Sequence, residues 1–227
     1  MIKTVVFDID NTLYSYDKAH TAAFAKLTEY AERELGLSAE EFSGLHRETG
    51  AELKERMGEV AAVHNRTIRY QNMLERRGLP LHPHVLEMSH IYWDTLIEKA
   101  EVSAGAPEAM RGLRQRGVRI GIGTDMTAFT QFRKLEKLGL LSDIDFMVSS
   151  EEVGAEKPDP VFFAQCVDKA GCGKEECLFV GDNLEKDVLG AEKAGLQAVW
   201  YRPQGYEAGA CVRQIHHFLE ILDIISE

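Results

Sequence analysis

From Val102 onward, short apolar runs alternate with amphipathic helical segments, and that alternation restricts the chain to a parallel sheet with helices on both faces. The pattern predicts helix at about 107–116, strand at 118–123, helix at about 128–138 and strand at 146–149. It continues with helix at 160–170, strand at 177–180, helix at about 184–194, strand at 197–201 and a last helix near 213–225. One more strand precedes all of these. The run Ile2-Lys3-Thr4-Val5-Val6-Phe7 is short, β-branched and aromatic, as expected of a strand buried on both faces.

Between that first strand and Val102 the periodicity is helical throughout. Asp17 can cap a helix whose Phe24, Leu27, Ala31 and Leu35 share one stripe and which ends at Gly36. Ser38 and Glu41 form a capping box that opens a second helix through Phe42, Leu45 and Leu53. A third is expected at about 63–78, and Pro83 starts a fourth with Val85, Met88, Tyr92 and Leu96 in register. Four helices with no strand between them read as a small bundle inserted into an α/β unit.

The chemistry is concentrated where the strands end. Asp8 and Asp10 leave the first strand together, and Cys177-Leu178-Phe179-Val180 runs into Gly181-Asp182 and then Asp187. The C-terminal edge of an open α/β sheet is where such folds bind ligands. Acids one residue apart repel unless a cation or a shared proton lies between them. Two strands delivering carboxylates to one rim make a site for a hard divalent ion, most simply Mg²⁺.

Asp8-Ile9-Asp10-Asn11-Thr12 resembles the signature of the haloacid dehalogenase-like hydrolase superfamily, and the rest of that family's pattern follows in order. Thr124 ends a strand, Lys157 lies in Glu156-Lys157-Pro158-Asp159-Pro160, and Asp182 and Asp187 close the set. The resemblance implies a doubly wound, Rossmann-like core of residues 1–13 and 103–227 carrying a helical cap domain at 14–102. It further implies a Mg²⁺-dependent phosphatase of a small phosphorylated metabolite. In that reading Asp8 is the nucleophile, and Asp10 gives and reclaims a proton. The metal is held by Asp8, the Asp10 backbone carbonyl and Asp182. Thr124, Asp125 and Lys157 hold the phosphoryl group, and Thr12, Asn183 and Asp187 orient these groups from behind.

Asp125 departs from the pattern, since the family usually carries Asn there. A carboxylate aimed at phosphate would oppose binding, so Asp125 is expected to offer its backbone N–H and turn its side chain away. A phosphomutase shares the whole constellation. A dehalogenase is weaker, because the dehalogenases of this superfamily lack the acid at Asp10. Phosphonate cleavage would need a desolvated cap lysine, and Lys54 lies in the charged run Glu52-Leu53-Lys54-Glu55-Arg56. A signalling receiver domain is disfavoured because no acceptor Asp follows at the right distance. The intact acid–lysine set argues against a silent binding module.

A net charge of −11 would repel nucleic acid and anionic membrane. No apolar window suits a signal peptide or a membrane span, and the four cysteines have no C-x-x-C spacing, which predicts a cytoplasmic protein with free thiols. Oligomeric state has no signature here. In the helical segment Tyr16, His20, Arg47, Arg66 and Arg69 read as surface residues within possible reach of a substrate.

Overall fold

The computed structural model describes every residue except Ala208, Ala210 and Glu227. The chain divides into two compact units, one of Met1–Ser15 with Glu101–Glu227 and the other of Tyr16–Ala100.

The first unit is built on a six-stranded sheet. Its strands are β1 (Thr4–Phe7), β2 (Arg119–Thr124), β3 (Phe146–Ser149), β4 (Cys177–Gly181), β5 (Gln197–Tyr201) and β6 (Gln214–Ile215). The spatial order is β3-β2-β1-β4-β5-β6, and every pairing is parallel. With β1 paired on both edges, Val5, Val6 and Phe7 are fully buried. Each such side chain contributes roughly 1.5–3 kcal/mol by leaving water. The register sets Phe7 beside Val180, so the residues following β1 and β4 emerge next to each other.

Helices cover the sheet as its parallel crossovers require. Helices α5 (Ala106–Gln115), α6 (Ala128–Lys137), α7 (Ser150–Val153), α8 (Pro160–Ala170), α9 (Gly190–Ala194) and α10 (Ile221–Ile224) belong to this unit. Asp159 caps α8 by accepting from Val161 N at 2.9 Å, with Pro160 in the first turn, which is why this helix starts where the sequence says it should.

The C-terminal stretch corrects the sequence reading. Residues 213–225 do not form one helix. Gln214 and Ile215 join the sheet beside Trp200 and Tyr201, a 3₁₀ turn follows at Phe218–Glu220, and only Ile221–Ile224 is α-helical. The apolar spacing of Ile215, Phe218, Ile221 and Ile225 suits a helix. The open edge of β5 offered unpaired backbone groups, and pairing with them won. Phe218 then packs on Tyr201 with ring centroids 4.4 Å apart.

The second unit holds α1 (Tyr16–Leu35), α2 (Ala39–Met57), α3 (Arg66–Arg76) and α4 (His84–Lys99). Helix α1 packs on α4 and α2, and α3 on α2 and α4. Leu27, Phe42, Leu53, Tyr70, Met88 and Leu96 are buried between them. Ser38 and Glu41 make the capping box of α2. Helix α3 begins three residues later than its apolar pattern suggests. Asn65 accepts from Thr67 N and Ile68 N, and the preceding Ala61–His64 is a 3₁₀ turn. No helix among the described residues is long and apolar enough to cross a membrane.

Candidate active site

Strand β1 delivers Asp8 to the sheet rim with only 6% of its surface exposed. Its backbone N–H donates to Val180 O at 2.9 Å, which ties it to β4. Thr12, fully buried, returns from the following turn and donates to Asp8 Oδ2 and Asp182 Oδ1, each at 3.3 Å. Its hydroxyl also accepts from Asp182 N at 3.1 Å. One hydroxyl therefore spans the loops after β1 and β4.

Lys157 enters from the loop before α8 and is 3% exposed. Its Nζ lies 2.6 Å from Asp8 Oδ1 and 2.7 Å from Asp187 Oδ1, and donates to Gly123 O at 3.2 Å. Asp187 sits in a π-helical turn, Leu184–Leu189, whose N-terminus is capped by Asn183 accepting from Glu185 N and Lys186 N. Asp187 Oδ2 accepts from Asn183 N at 3.0 Å. A Cβ at position 181 would stand 2.3 Å from that same oxygen, so only glycine there lets the carboxylate fold back. Asn183 thus acts here as a cap that sets the turn.

Asp10 faces a different environment. Asn11 takes φ 62°, a left-handed conformation that asparagine tolerates, and the chain turns just after Asp10. The Asp10 carboxylate receives Lys134 Nζ at 2.6 and 2.9 Å, Tyr14 OH at 2.5 Å and Gln131 Nε2 at 3.0 Å. Lys134 and Gln131 lie one turn apart on α6, and both are fully buried. Sequence reasoning missed all three partners. A lysine on an amphipathic helix reads as solvated, and only its three-residue spacing from Gln131 hinted at a shared inward face.

Gln131 Nε2 also donates to the hydroxyl of Thr124 at 2.5 Å, so one amide joins the ends of the first two motifs. Asp125 uses its carboxylate within the protein. Oδ1 accepts from Lys157 N at 3.0 Å, and Oδ2 is 3.2 Å from Lys186 Nζ. Lys186 in turn meets the buried Glu156 at 3.3 Å. Met126 follows with φ 140°, a conformation costing a non-glycine residue roughly 1–3 kcal/mol, and its N–H donates to Ser150 Oγ at 2.9 Å.

The charges do not balance. Asp8, Asp182 and Asp187 offer carboxylate oxygens all within 4.8 Å of one another, against the single ammonium of Lys157. Burial pushes Asp8 well above the ordinary carboxylate range; Lys157 opposes this, while Asp187, Asp182 and Asp10 add to it. Burial and Asp187 together raise Asp182 to about 6. Burial would lower Lys157, but Asp187, Asp8 and Asp125 outweigh it and hold the ammonium well above its usual value. Burial would likewise raise Asp10, yet Lys134, Tyr14 and Gln131 prevail and keep it below its ordinary value.

An excess of close oxygen donors with raised affinity for positive charge fits a hard divalent cation. The cluster comprises Asp8, Asp182 and Asp187. The Asp10 carboxylate is turned toward Lys134 instead, which leaves its backbone carbonyl as the atom Asp10 would offer a metal.

The chain is similar to known proteins over most of its length. The family described as haloacid dehalogenase-like hydrolase matches residues 2–195. Ribulose-1,5-bisphosphate 5-phosphatase of Halopiger xanaduensis is 33% identical over 237 residues, covering 100% of this chain and 99% of its own. Glyceraldehyde 3-phosphate phosphatase of Methanopyrus kandleri is 34% identical over 212 residues, covering 91% and 87% respectively. The crystal structure of a 2-haloacid dehalogenase from Pseudomonas syringae pv. Tomato superposes with a TM-score of 0.82 at 22% identity, covering 100% of this chain and 99% of that one. At that identity the likeness speaks for the fold alone. A parallel α/β sheet with an acid–lysine cluster at its rim suits a hydrolase core, and the family match shows the class. The chain belongs to the haloacid dehalogenase-like hydrolases.

Proposed function

We propose that the chain is a phosphoric monoester hydrolase that releases phosphate from a small metabolite with Asp8 as nucleophile. The observation that carries this reading is the separation of the two acids. Asp8 lies 2.6 Å from Lys157, while Asp10, two residues on, is held by Lys134 at the same distance. Neighbouring carboxylates in unlike environments would divide nucleophile from proton carrier once a bound cation offsets the acids around Asp8 and the Lys134 pair to Asp10 opens. The phosphatase relatives support the same reaction class.

Asp8 forms a bond from a carboxylate oxygen to phosphorus as the ester oxygen departs, giving an aspartyl phosphate. The departing alkoxide takes a proton from Asp10. Asp10 then accepts a proton from water, whose oxygen attacks phosphorus, releases phosphate and restores Asp8. Lys157 holds Asp8 in line and neutralises a phosphoryl oxygen, and Thr124 donates its hydroxyl to another. The acid step requires the Lys134–Asp10 pair to loosen when a phosphoester enters and Asp10 to take up a proton from solvent, because that pair holds Asp10 ionised. Asp8, Asp182 and the Asp10 carbonyl, with Asp187 adjacent, would hold Mg²⁺, which would supply positive charge against the phosphoryl oxygens. Residues 1–13 and 103–227 serve as catalytic core and 14–102 as cap, in a cytoplasmic enzyme.

Lys54 is 61% exposed and paired with Glu59 at 2.8 Å, a solvated lysine unsuited to the Schiff base that phosphonate cleavage needs. The test is phosphate release with Mg²⁺ from a panel headed by ribulose bisphosphate and glyceraldehyde 3-phosphate, the compounds named for the two relatives. Asp8→Asn should lower the rate by about 10⁴-fold or more. Its melting temperature should hold, since the substitution removes a crowded buried acid. Activity that survives Asp8→Asn would sink the assignment, and a phosphoenzyme stable in water would favour a mutase.

A further inference from the structure

The helical unit buries a second set of charged groups that the reaction does not use. Contrary to the surface reading of the sequence, Arg66 is 8% exposed. Its Nη2 donates to Tyr16 OH at 3.0 Å and Tyr92 OH at 3.2 Å, and the guanidinium lies over the Tyr92 ring. His20 Nδ1 is 2.8 Å from the same Tyr92 hydroxyl. Arg69, one turn along α3 and half-buried, lies against Gly50 of α2, where a Cβ would come within 2.9 Å of Arg69 Cζ. Among the described residues neither arginine has a carboxylate partner.

Five of the seven buried polar side-chain atoms without a partner among the described residues fall in this one place: His46 Nε2, Thr49 Oγ1, Arg66 Nε, Arg69 Nε and Tyr70 OH. They form two matching stripes. His46, Thr49 and Gly50 follow i, i+3, i+4 spacing on α2, and Arg66, Arg69 and Tyr70 do the same on α3. The rings of His46 and Tyr70 are tilted against each other with centroids 6.3 Å apart.

Orphaned buried groups ask for a missing partner. The two arginine nitrogens are obligate donors, and the imidazole and both hydroxyls can donate as well. A partner that accepts on several sides and carries negative charge satisfies them all. Burial and the charge of Arg66 pull Arg69 down to about 10. Burial with both arginines takes His46 to about 3. In both shifts burial is the larger cause and the neighbouring arginine charge adds to it, while the Tyr16, Tyr70 and Tyr92 hydroxyls oppose it at Arg69.

We propose that the cluster of His46, Thr49, Arg66, Arg69 and Tyr70, with Gly50 packed against Arg69, binds an oxyanion, either a phosphate or a carboxylate group. Guanidinium forks match both geometrically. Gly50 is a positioning residue, since it leaves room for the Arg69 guanidinium.

The test uses the full chain and sulfate as probe, in melts at matched ionic strength against chloride. Sulfate should raise the melting temperature of the wild type. Arg69→Met and Gly50→Ala should each weaken the sulfate response by roughly tenfold or more. Gly50→Ala is the cleaner variant, because alanine favours a helix interior and its methyl displaces only the end of a flexible side chain. The source of the anion is read from kcat/KM on p-nitrophenyl phosphate beside phosphoglycolate and a sugar bisphosphate. A loss confined to the doubly anionic esters assigns the cluster to the substrate's second anion. A lost sulfate response with unchanged selectivity assigns it to a free anion. Sulfate responses and selectivity that match wild type in both variants would overturn the proposal. Should the wild type hydrolyse none of the esters, the phosphatase reading fails, and the melts still decide the anion site.

Discussion

The two units bury charge in opposite ways. In the α/β unit every buried ammonium meets carboxylates: Lys157 with Asp8 and Asp187, Lys134 with Asp10. The imbalance there is an excess of acid. In the helical unit Arg66 is buried among phenols and Arg69 lies beside it, with no acid to pair either. The imbalance there is an excess of cation. Burying charge is costly unless partners compensate, so each excess marks a place where a ligand of the opposite sign completes the structure. A rim of acids suits a metal ion, and a cluster of donors suits an oxyanion.

The contrast can be broken by removing one cation from each side. Lys157→Met leaves Asp8 and Asp187 facing each other without their ammonium, and should cost about 3–5 kcal/mol in chemical denaturation at neutral pH. A loss below about 1 kcal/mol would mean that the acid cluster does not depend on this pair.

A pH titration of stability sharpens it. His46 is buried beside Arg69, Arg66 and His20, and burial together with these neighbours pushes its pKa down from the ordinary 6.5 to about 3. The unfolded chain therefore binds the extra proton first. Stability from this group is full above about 6.5 and declines as pH falls toward 3, by roughly 3–5 kcal/mol in total. His46→Gln should flatten that acid limb, and a limb unchanged in the variant would refute the assignment.

Metal addition probes the acid side. Mg²⁺ at a hundred times its dissociation constant should stabilise the chain by about 2.7 kcal/mol, an effect that EDTA reverses and Asp182→Asn removes. The smallest effect belongs to Arg69→Met. With no hydrogen bond or ion pair to lose among the described residues, it should change unfolding free energy by no more than about 0.5 kcal/mol without sulfate. A large loss would show that Arg69 is a structural pillar.

Legibility from sequence differed with the range of the interactions. The ends of β1 and β4, the capping box at Ser38 and the start of α8 at Pro160 were readable because each rests on neighbours a few residues apart. Asp8, Thr124, Lys157 and Asp182 stood out through their order after strands. The partners of Asp10 did not, since Lys134 lies 124 residues from it and looks like any surface lysine. Arg66 misled for the same reason, its phenolic partners being 50 and 26 residues away.

By itself, then, the sequence determined the alternation of buried strands and amphipathic helices, the helical insertion after β1, and the carboxylates at the sheet rim. Periodicity and local capping energies act over a few residues and leave their mark in the chain directly. Tertiary structure alone decided that residues 214–215 would extend the sheet, that Asp187 would fold back over Gly181 to meet Lys157, and that Arg66 would be buried against Tyr16 and Tyr92 and Arg69 against Gly50 without an acid. Those outcomes depend on which distant groups share a low-dielectric space, where burial and Coulomb energy are set by geometry that no local pattern contains.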